Sequence, residues 1–325
     1  MKAVQVLARG RAEFVDVPKP AVQPGHLLIR TCYLSLCGSD IQMLHYRAES
    51  SYPFPPGTTG HEMVGVVEEV GDGESPFSVG DRVLSLAPGH RAMCEYFLAP
   101  YGDIVPLPPN MPLPELLQAQ QLSTVLYASQ RLPNLIGKQV AIIGQGSAGL
   151  WFNFHLRRMG ARHVVALDID DVRLERSKAF GATSHFNNRH HDPVERLREL
   201  FEGELADIVV EAAGEVDAIN LAIDLVKKYG DILYFGYPRA QTLPFEFDKL
   251  FQKCCRATTI VGSNNEEKLT SLRLAVELIA SGEADAQALI THQLPFADVI
   301  DAYELHRTRS DGAVKIVIEM PGASG

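Results

Sequence analysis

Residues 139–159 read QVAIIGQGSAGLWFNFHLRRM. The apolar run QVAII has strand length, a helical run follows from Ser147, and between them lies only the glycine cluster Gly144-Gln-Gly146-Ser-Ala-Gly149. A lone GxGxxG is a weak signal, but one with a strand before it and a helix after it is a dinucleotide fingerprint. Gly144 permits the tight turn, Gly146 lets backbone approach a pyrophosphate, and Gly149 lets the helix close on the sheet. Gly144, Gly146, Ser147, Ala148 and Gly149 are the expected contacts, because the helix N-terminus offers free N–H groups to an anion. Nineteen residues beyond Gly149, at the end of the next apolar run, stands Asp168. A carboxylate there accepts both ribose hydroxyls and repels a 2′-phosphate, so the expected cofactor is NAD rather than NADP. The other account is a glycine turn with an N-capping aspartate.

Beyond the glycine cluster, short apolar strands at Val164 to Leu167, Ile208 to Val210 and Ile232 to Phe235 alternate with helical segments at Asp171 to Phe180 and Val216 to Lys228. That alternation predicts an α/β domain with a doubly wound parallel sheet of the Rossmann type. The first hundred residues differ. Runs at Lys2 to Leu7, Leu27 to Leu34, Met63 to Val70, Asp81 to Leu86 and Met93 to Leu98, separated by turn clusters, predict an antiparallel β domain. A helix at Leu116 to Arg131 joins the two regions, and the tail predicts helices at Glu266 to Ser281 and Phe296 to Thr308 with a strand at Val314 to Glu319.

Composition sets limits on function. With 325 residues, about two domains are expected. Thirty Lys and Arg against forty Asp and Glu give a formal charge of −10, which argues against nucleic acid and anionic membrane as partners. Five cysteines, at 32, 37, 94, 254 and 255, lack CxxC spacing and are too few to staple the chain, and no signal or spanning segment is evident. The expectation is a soluble cytoplasmic protein.

The β-rich half carries a second constellation, Leu36-Cys37-Gly-Ser39-Asp40 and Gly60-His61-Glu62-Met-Val-Gly65. Thiolate, imidazole and carboxylate are the ligand types of catalytic zinc. Taken alone, a Cys and a His 24 residues apart are a weak signal and read more simply as a buried thiol and a core imidazole.

Taken in order, LCGSD, PPGTTGHEMVGVVEEVG, FSVGDRV, GKQVAIIGQGSAGL, VVALDIDDVRLERSKAFGAT, DIVVEAAG and ALITHQLPFADVIDAYEL resemble the zinc-containing medium-chain alcohol and polyol dehydrogenases over essentially the whole chain. The resemblance implies a Rossmann-type NAD domain, residues 122–263, inserted into a GroES-like β-rich catalytic domain formed by residues 1–121 and 264–325. It implies that Cys37 and His61 are zinc ligands, that Glu62 is a neighbouring carboxylate or alternative ligand, and that Asp40 orients the His ligand. It assigns the outward passage of the substrate proton to Ser39. Arg173 matches a basic side chain that touches the adenosine ribose, and Lys315 one that approaches the pyrophosphate. The implied reaction interconverts a secondary alcohol or polyol and its ketone, and the implied assembly is a homodimer or homotetramer.

Three departures qualify that resemblance. The usual third zinc ligand position falls on Gln120, and an amide is a poor zinc ligand. Either Glu62 completes a Cys-His-Glu set, or Gln120 binds weakly, or zinc affinity is low or lost. The family's relay His is replaced by Gln42, leaving His45 or water to end the relay. No four-cysteine lobe follows Asp81-Arg-Val, so one catalytic zinc and no structural zinc is expected. The alternatives are an NAD(H)-binding protein without dehydrogenase turnover, acting as a sensor or structural subunit, and a zinc-independent reductase.

Overall fold

A computed structural model describes residues 1–263 and 266–323. Two compact units divide the chain, Met1–Ser123 with Asn264–Gly325 and Thr124–Ser263. The second is an α/β unit built on a six-stranded parallel sheet. Its strand order is Ser184–Asn187, His163–Asp168, Gln139–Ile143, Ala206–Glu211, Val226–Tyr234, Arg256–Thr259. Numbered by sequence within the sheet, this is 3-2-1-4-5-6, the doubly wound order, which reverses beside the strand that feeds the glycine loop. The strands read as nearly continuous apolar runs because helices such as Ser147–Arg158 cover them; Val140, Ala141, Ile142, Val209 and Val210 are all buried.

The first unit carries the β-rich architecture. The strand His26–Ser35 is its centre and pairs antiparallel with Met63–Val70, Tyr96–Pro100 and Lys315–Glu319. The latter pairs in parallel with Ile290–Pro295, so the C-terminal segment completes a sheet begun by the N-terminal one. Leu27, Ile29, Leu34, Met63, Ile316 and Ile318 fill one core from both ends of the chain. A separate hairpin joins Lys2–Ala8 to Arg11–Asp16.

Local expectations shift in three places. The helix expected to reach Lys228 ends at Leu225, because Val226 pairs in parallel with Ala206; a left-handed Tyr229 (φ +64°) then brings Asp231 opposite Ile208. The helix expected from Glu266 begins at Thr270, and the Glu266 carboxylate accepts from Ser271 N and Oγ at 2.7 and 2.8 Å. The Leu116 to Arg131 helix is two helices, Leu113–Leu117 and Ala119–Ser129, divided at Gln118. Among the described residues no helix is long and apolar enough to cross a membrane.

Candidate active site

Cys37 follows the strand His26–Ser35 and N-caps the helix Gly38–His45. The cap is reciprocal: Asp40 Oδ2 accepts the Cys37 N–H at 2.8 Å, and Asp40 N donates to Cys37 O at 3.0 Å. Thiol and carboxylate are thereby fixed on one helical turn. Ser39, between them, buries a hydroxyl that has no hydrogen-bond partner.

His61 and Glu62 enter from the turn before the strand Met63–Val70. The imidazole stands between two carboxylates, with Nδ1 3.6 Å from Asp40 Oδ1 and Nε2 3.9 Å from Glu62 Oε1. Burial disfavours its charged form, but Asp40 and the Cys37 thiol outweigh burial and hold His61 well above the usual histidine range. Asp40 is itself pushed up, mainly by burial. Ligand atoms of Cys37, His61 and Glu62 all lie within 4.8 Å of one another. Glu62 Oε1 has no hydrogen-bond partner, whereas Oε2 accepts from Ser35 Oγ and from Lys315 Nζ.

That last contact engages Lys315, the residue the resemblance assigns to the pyrophosphate. Its side chain is fully buried, with the ammonium 2.5 Å from Glu62 Oε2 and 3.4 Å from Leu36 O, so it is an ion-pair partner inside the first unit. His45, the suggested alternative end of the relay, lies over the Gly10 turn, where burial and Arg307 lower its pKa. Tyr52 and Phe54, between the two motifs, pack against the core of this unit. Gln120 is buried in its helix, with its backbone carbonyl accepting from Ser123 Oγ at 2.6 Å.

His90 is the site residue that sequence reasoning missed. Its ring centroid lies 4.4 Å from that of His61, and Asp40, His61 and His90 form a second group of clustered ligand-type atoms. Its Nδ1 is buried without a partner, and burial followed by the neighbouring His61 charge lowers it to about 4. The turn that delivers it has left-handed backbone at Ala87, Gly89 and His90. Pro88-Gly89 marks a turn in the sequence, but nothing local aims its histidine at residue 61.

In the second unit the three glycines differ in their surroundings. Gly144 has φ +92°, and a Cβ on it would lie 3.0 Å from Ala213. A Cβ on Gly149 would stand 1.9 Å from Gly144 O, whereas Gly146 has nothing within 4 Å. Asp168 Oδ2 accepts Gln145 N at 2.6 Å, and Oδ1 accepts Ile169 N and Asp170 N at 2.7 and 3.1 Å. The capping role belongs to Asp170, which accepts from Val172 N and Arg173 N at the start of the helix Asp171–Ala179. Arg173 is buried, not an exposed charge, with Nε 3.9 Å from Asp170. Gly214 and Gly236 pack on each other's loops: a Cβ on Gly214 would lie 2.2 Å from Tyr237 O, and one on Gly236 2.3 Å from Gly214 N.

Comparison with known proteins agrees with both units. Residues 23–109 match the family model described as alcohol dehydrogenase GroES-like domain, and residues 149–280 match that of zinc-binding dehydrogenase. An alcohol dehydrogenase of Cupriavidus necator is 26% identical over 98% of both chains. A sorbitol dehydrogenase of Halalkalibacterium halodurans is 28% identical over 98% of this chain and 99% of that one. Among solved structures, the alcohol dehydrogenase TADH from Thermus sp. ATN1 superposes with a TM-score of 0.82 at 26% identity, covering 98% of this chain and all of the other.

Proposed function

We propose a reaction for this chain from a plain premise, that it belongs to the zinc-containing medium-chain alcohol and polyol dehydrogenase family and is therefore an oxidoreductase. The reading is an NAD-dependent, zinc-assisted interconversion of a secondary alcohol or polyol and its ketone by hydride transfer. The observation that carries it is the convergence of Cys37, His61 and Glu62 within 4.8 Å. Sulfur, nitrogen and oxygen donors of this kind suit a catalytic zinc, and the unpartnered Glu62 Oε1 fits a group still to be satisfied by a cation.

Cys37, His61 and Glu62 would hold the ion, with no part required of Gln120. Zinc supplies Lewis acidity toward an alcohol oxygen, and the nicotinamide supplies the hydride acceptor. The chain's own groups do the remainder. Asp40, with Oδ1 3.6 Å from Nδ1 of His61, would orient the imidazole and leave Nε2 as the donor to metal. Lys315 holds Glu62 by one oxygen and leaves the other open. The unpartnered Ser39 hydroxyl accepts the substrate proton and passes it to water, since Gln42 cannot carry it onward. Gly144, Gly146, Ser147, Ala148 and Gly149 would cradle the pyrophosphate, while Asp168, with Arg173 beside it, would take the ribose hydroxyls and disfavour a 2′-phosphate. Five free thiols suit the reducing cytoplasm. We further propose a homodimer or homotetramer joined through the second unit.

A second reading, an NAD(H)-binding member without zinc or turnover, draws on the engagement of Glu62 with Lys315. Metal analysis of protein purified without added metal, with an NAD and NADP reduction screen over alcohols and polyols, separates the two. The first reading expects about one zinc per chain and NAD-dependent turnover that Cys37→Ser abolishes. Zinc below about 0.2 per chain, with no turnover sensitive to Cys37→Ser, would establish the second.

A further inference from the structure

Thr59 stands two residues before His61 with φ +89°. A β-branched residue there is a backbone outlier, and such conformations persist only where the surroundings enforce them. Two sets of contacts act on this turn. The first is backbone: Gly60 N donates to His90 O at 3.2 Å, Ala92 N to Gly60 O at 2.9 Å, and Met93 N to Gly57 O at 2.9 Å. The second is a side chain that arrives from the far end of the sequence. Tyr303, on the helix Val299–Thr308, places its hydroxyl 2.5 Å from Thr59 Oγ1, with both residues buried. The phenol is close enough to Asp40 to feel its charge.

We propose that Tyr303 is a positioning residue for the ligand His61. Its hydroxyl pins Thr59 in the left-handed region. The backbone then leaves Gly60 in the one direction that sets the imidazole between Asp40 and Glu62. A threonine freed of that bond relaxes toward negative φ, which turns the 59–60 peptide and carries His61 off its line. The backbone pairing with residues 90–93 cannot do this alone, because it grips Gly57 and Gly60 on either side of Thr59 and leaves the strained dihedral between them. The proposal rests on the metal reading above, since it concerns how the chain shapes a metal ligand.

Zinc affinity of the metal-stripped full chain, read by competition with a chromogenic chelator, tests it, with cobalt(II) absorption as a second measure of ligand geometry. Tyr303→Phe and Thr59→Val each delete one partner of the bond and should raise the zinc Kd about tenfold, the order expected when a group that orients a metal ligand is lost. The double variant should also stand at about tenfold rather than about a hundredfold, because the two residues share one interaction. Thr59→Ser keeps the hydroxyl and should bind as the native chain does. Melting temperatures are followed in parallel. Stability that falls in Tyr303→Phe and Thr59→Val with zinc Kd within about twofold of native would overturn the proposal, leaving a bond that supports the fold alone. If Tyr303→Phe does not fold, the threonine pair decides: Thr59→Val weaker than Thr59→Ser supports positioning, and equal affinities overturn it. A native chain that binds no zinc defeats the metal reading and this proposal with it, whereas native binding with unmoved variants defeats this proposal only.

Discussion

Lys315 Nζ lies 2.5 Å from Glu62 Oε2, a contact 253 residues apart in sequence between two side chains that are both 0% exposed. The pair ties the last strand of the first unit to the turn that carries His61, so the C-terminal segment helps to build the candidate metal site. Removing one partner leaves an uncompensated buried charge. Lys315→Met is therefore expected to cost about 3–5 kcal/mol of stability, and Glu62→Gln a comparable amount. The double variant should cost less than the sum, because it leaves neither charge unpaired. Denaturant unfolding of the four proteins checks this; single variants within about 0.5 kcal/mol of native would contradict it.

Gly146 and Gly149 should respond in opposite ways to an added methyl group. Gly149→Ala puts a Cβ 1.9 Å from a backbone oxygen, so the turn has to shift, at a cost of about 1–3 kcal/mol. Gly146→Ala meets nothing within 4 Å, and its φ of −68° suits alanine, so stability should stay within about 1 kcal/mol. NADH affinity should nevertheless fall at least about tenfold, because in the proposed cofactor site the methyl would occupy the side from which a pyrophosphate approaches. Thermal melts and NADH fluorescence titration separate the two effects, and an unchanged NADH affinity in Gly146→Ala would remove that glycine from the cofactor site.

The glycine loop was legible because each of its requirements acts within a few residues. Strand length, a φ of +92° at Gly144 and helix–strand contact at Gly149 all leave local marks in the sequence. The parallel sheet was legible for the same reason, through apolar strands spaced by helices. Val226 shows the limit, since the spacing in IDLVKK, residues 223–228, suits a helix and only pairing with Ala206 makes it strand. Cys37 and His61 became a pair by resemblance, not by spacing. The burial of Lys315 was not legible, because burial of a lysine depends on its partner, and Glu62 is invisible from residue 315. His90 was missed because a left-handed turn, paired through backbone with residues 57–60, brings it to His61. Long-range pairing decided all three.

Self-association should run through the second unit. The strand Arg256–Thr259 is the edge of the parallel sheet, bonded on one side to Val226–Tyr234, and edges of this kind are templates for further pairing. The helix just before it exposes Phe247 at 63% and Phe251 at 69%, one turn apart. Replacing both with aspartate should convert a native oligomer to monomer at about 10 μM without loss of secondary structure, since burying two charges at an interface is costly. Sedimentation equilibrium reads the outcome. A native chain that is already monomeric at that concentration would end the proposal.

Glu211 should give the second unit a pH-dependent stability. Burial raises its carboxyl to about 7, against the hydrogen bonds that Oε1 accepts from Ala213 N and Gly214 N, both at 2.7 Å. Between its unfolded value of 4.5 and about 7, the folded chain keeps a proton that the unfolded chain has released. The stabilisation is therefore full below pH 4.5 and is lost as pH rises through 7, by roughly 3 kcal/mol at most. Glu211→Gln keeps an oxygen for both N–H groups and cannot ionise. Urea unfolding at pH 5 and pH 8 should show native stability falling by about 2–3 kcal/mol more than that of Glu211→Gln, with every other titrating group cancelling in the comparison. The consequence reaches the cofactor loop, because Ala213, held by this carboxylate, is the residue against which Gly144 turns. NADH affinity that weakens with rising pH in the native chain but not in Glu211→Gln would connect the two, and parallel pH profiles would confine Glu211 to the fold.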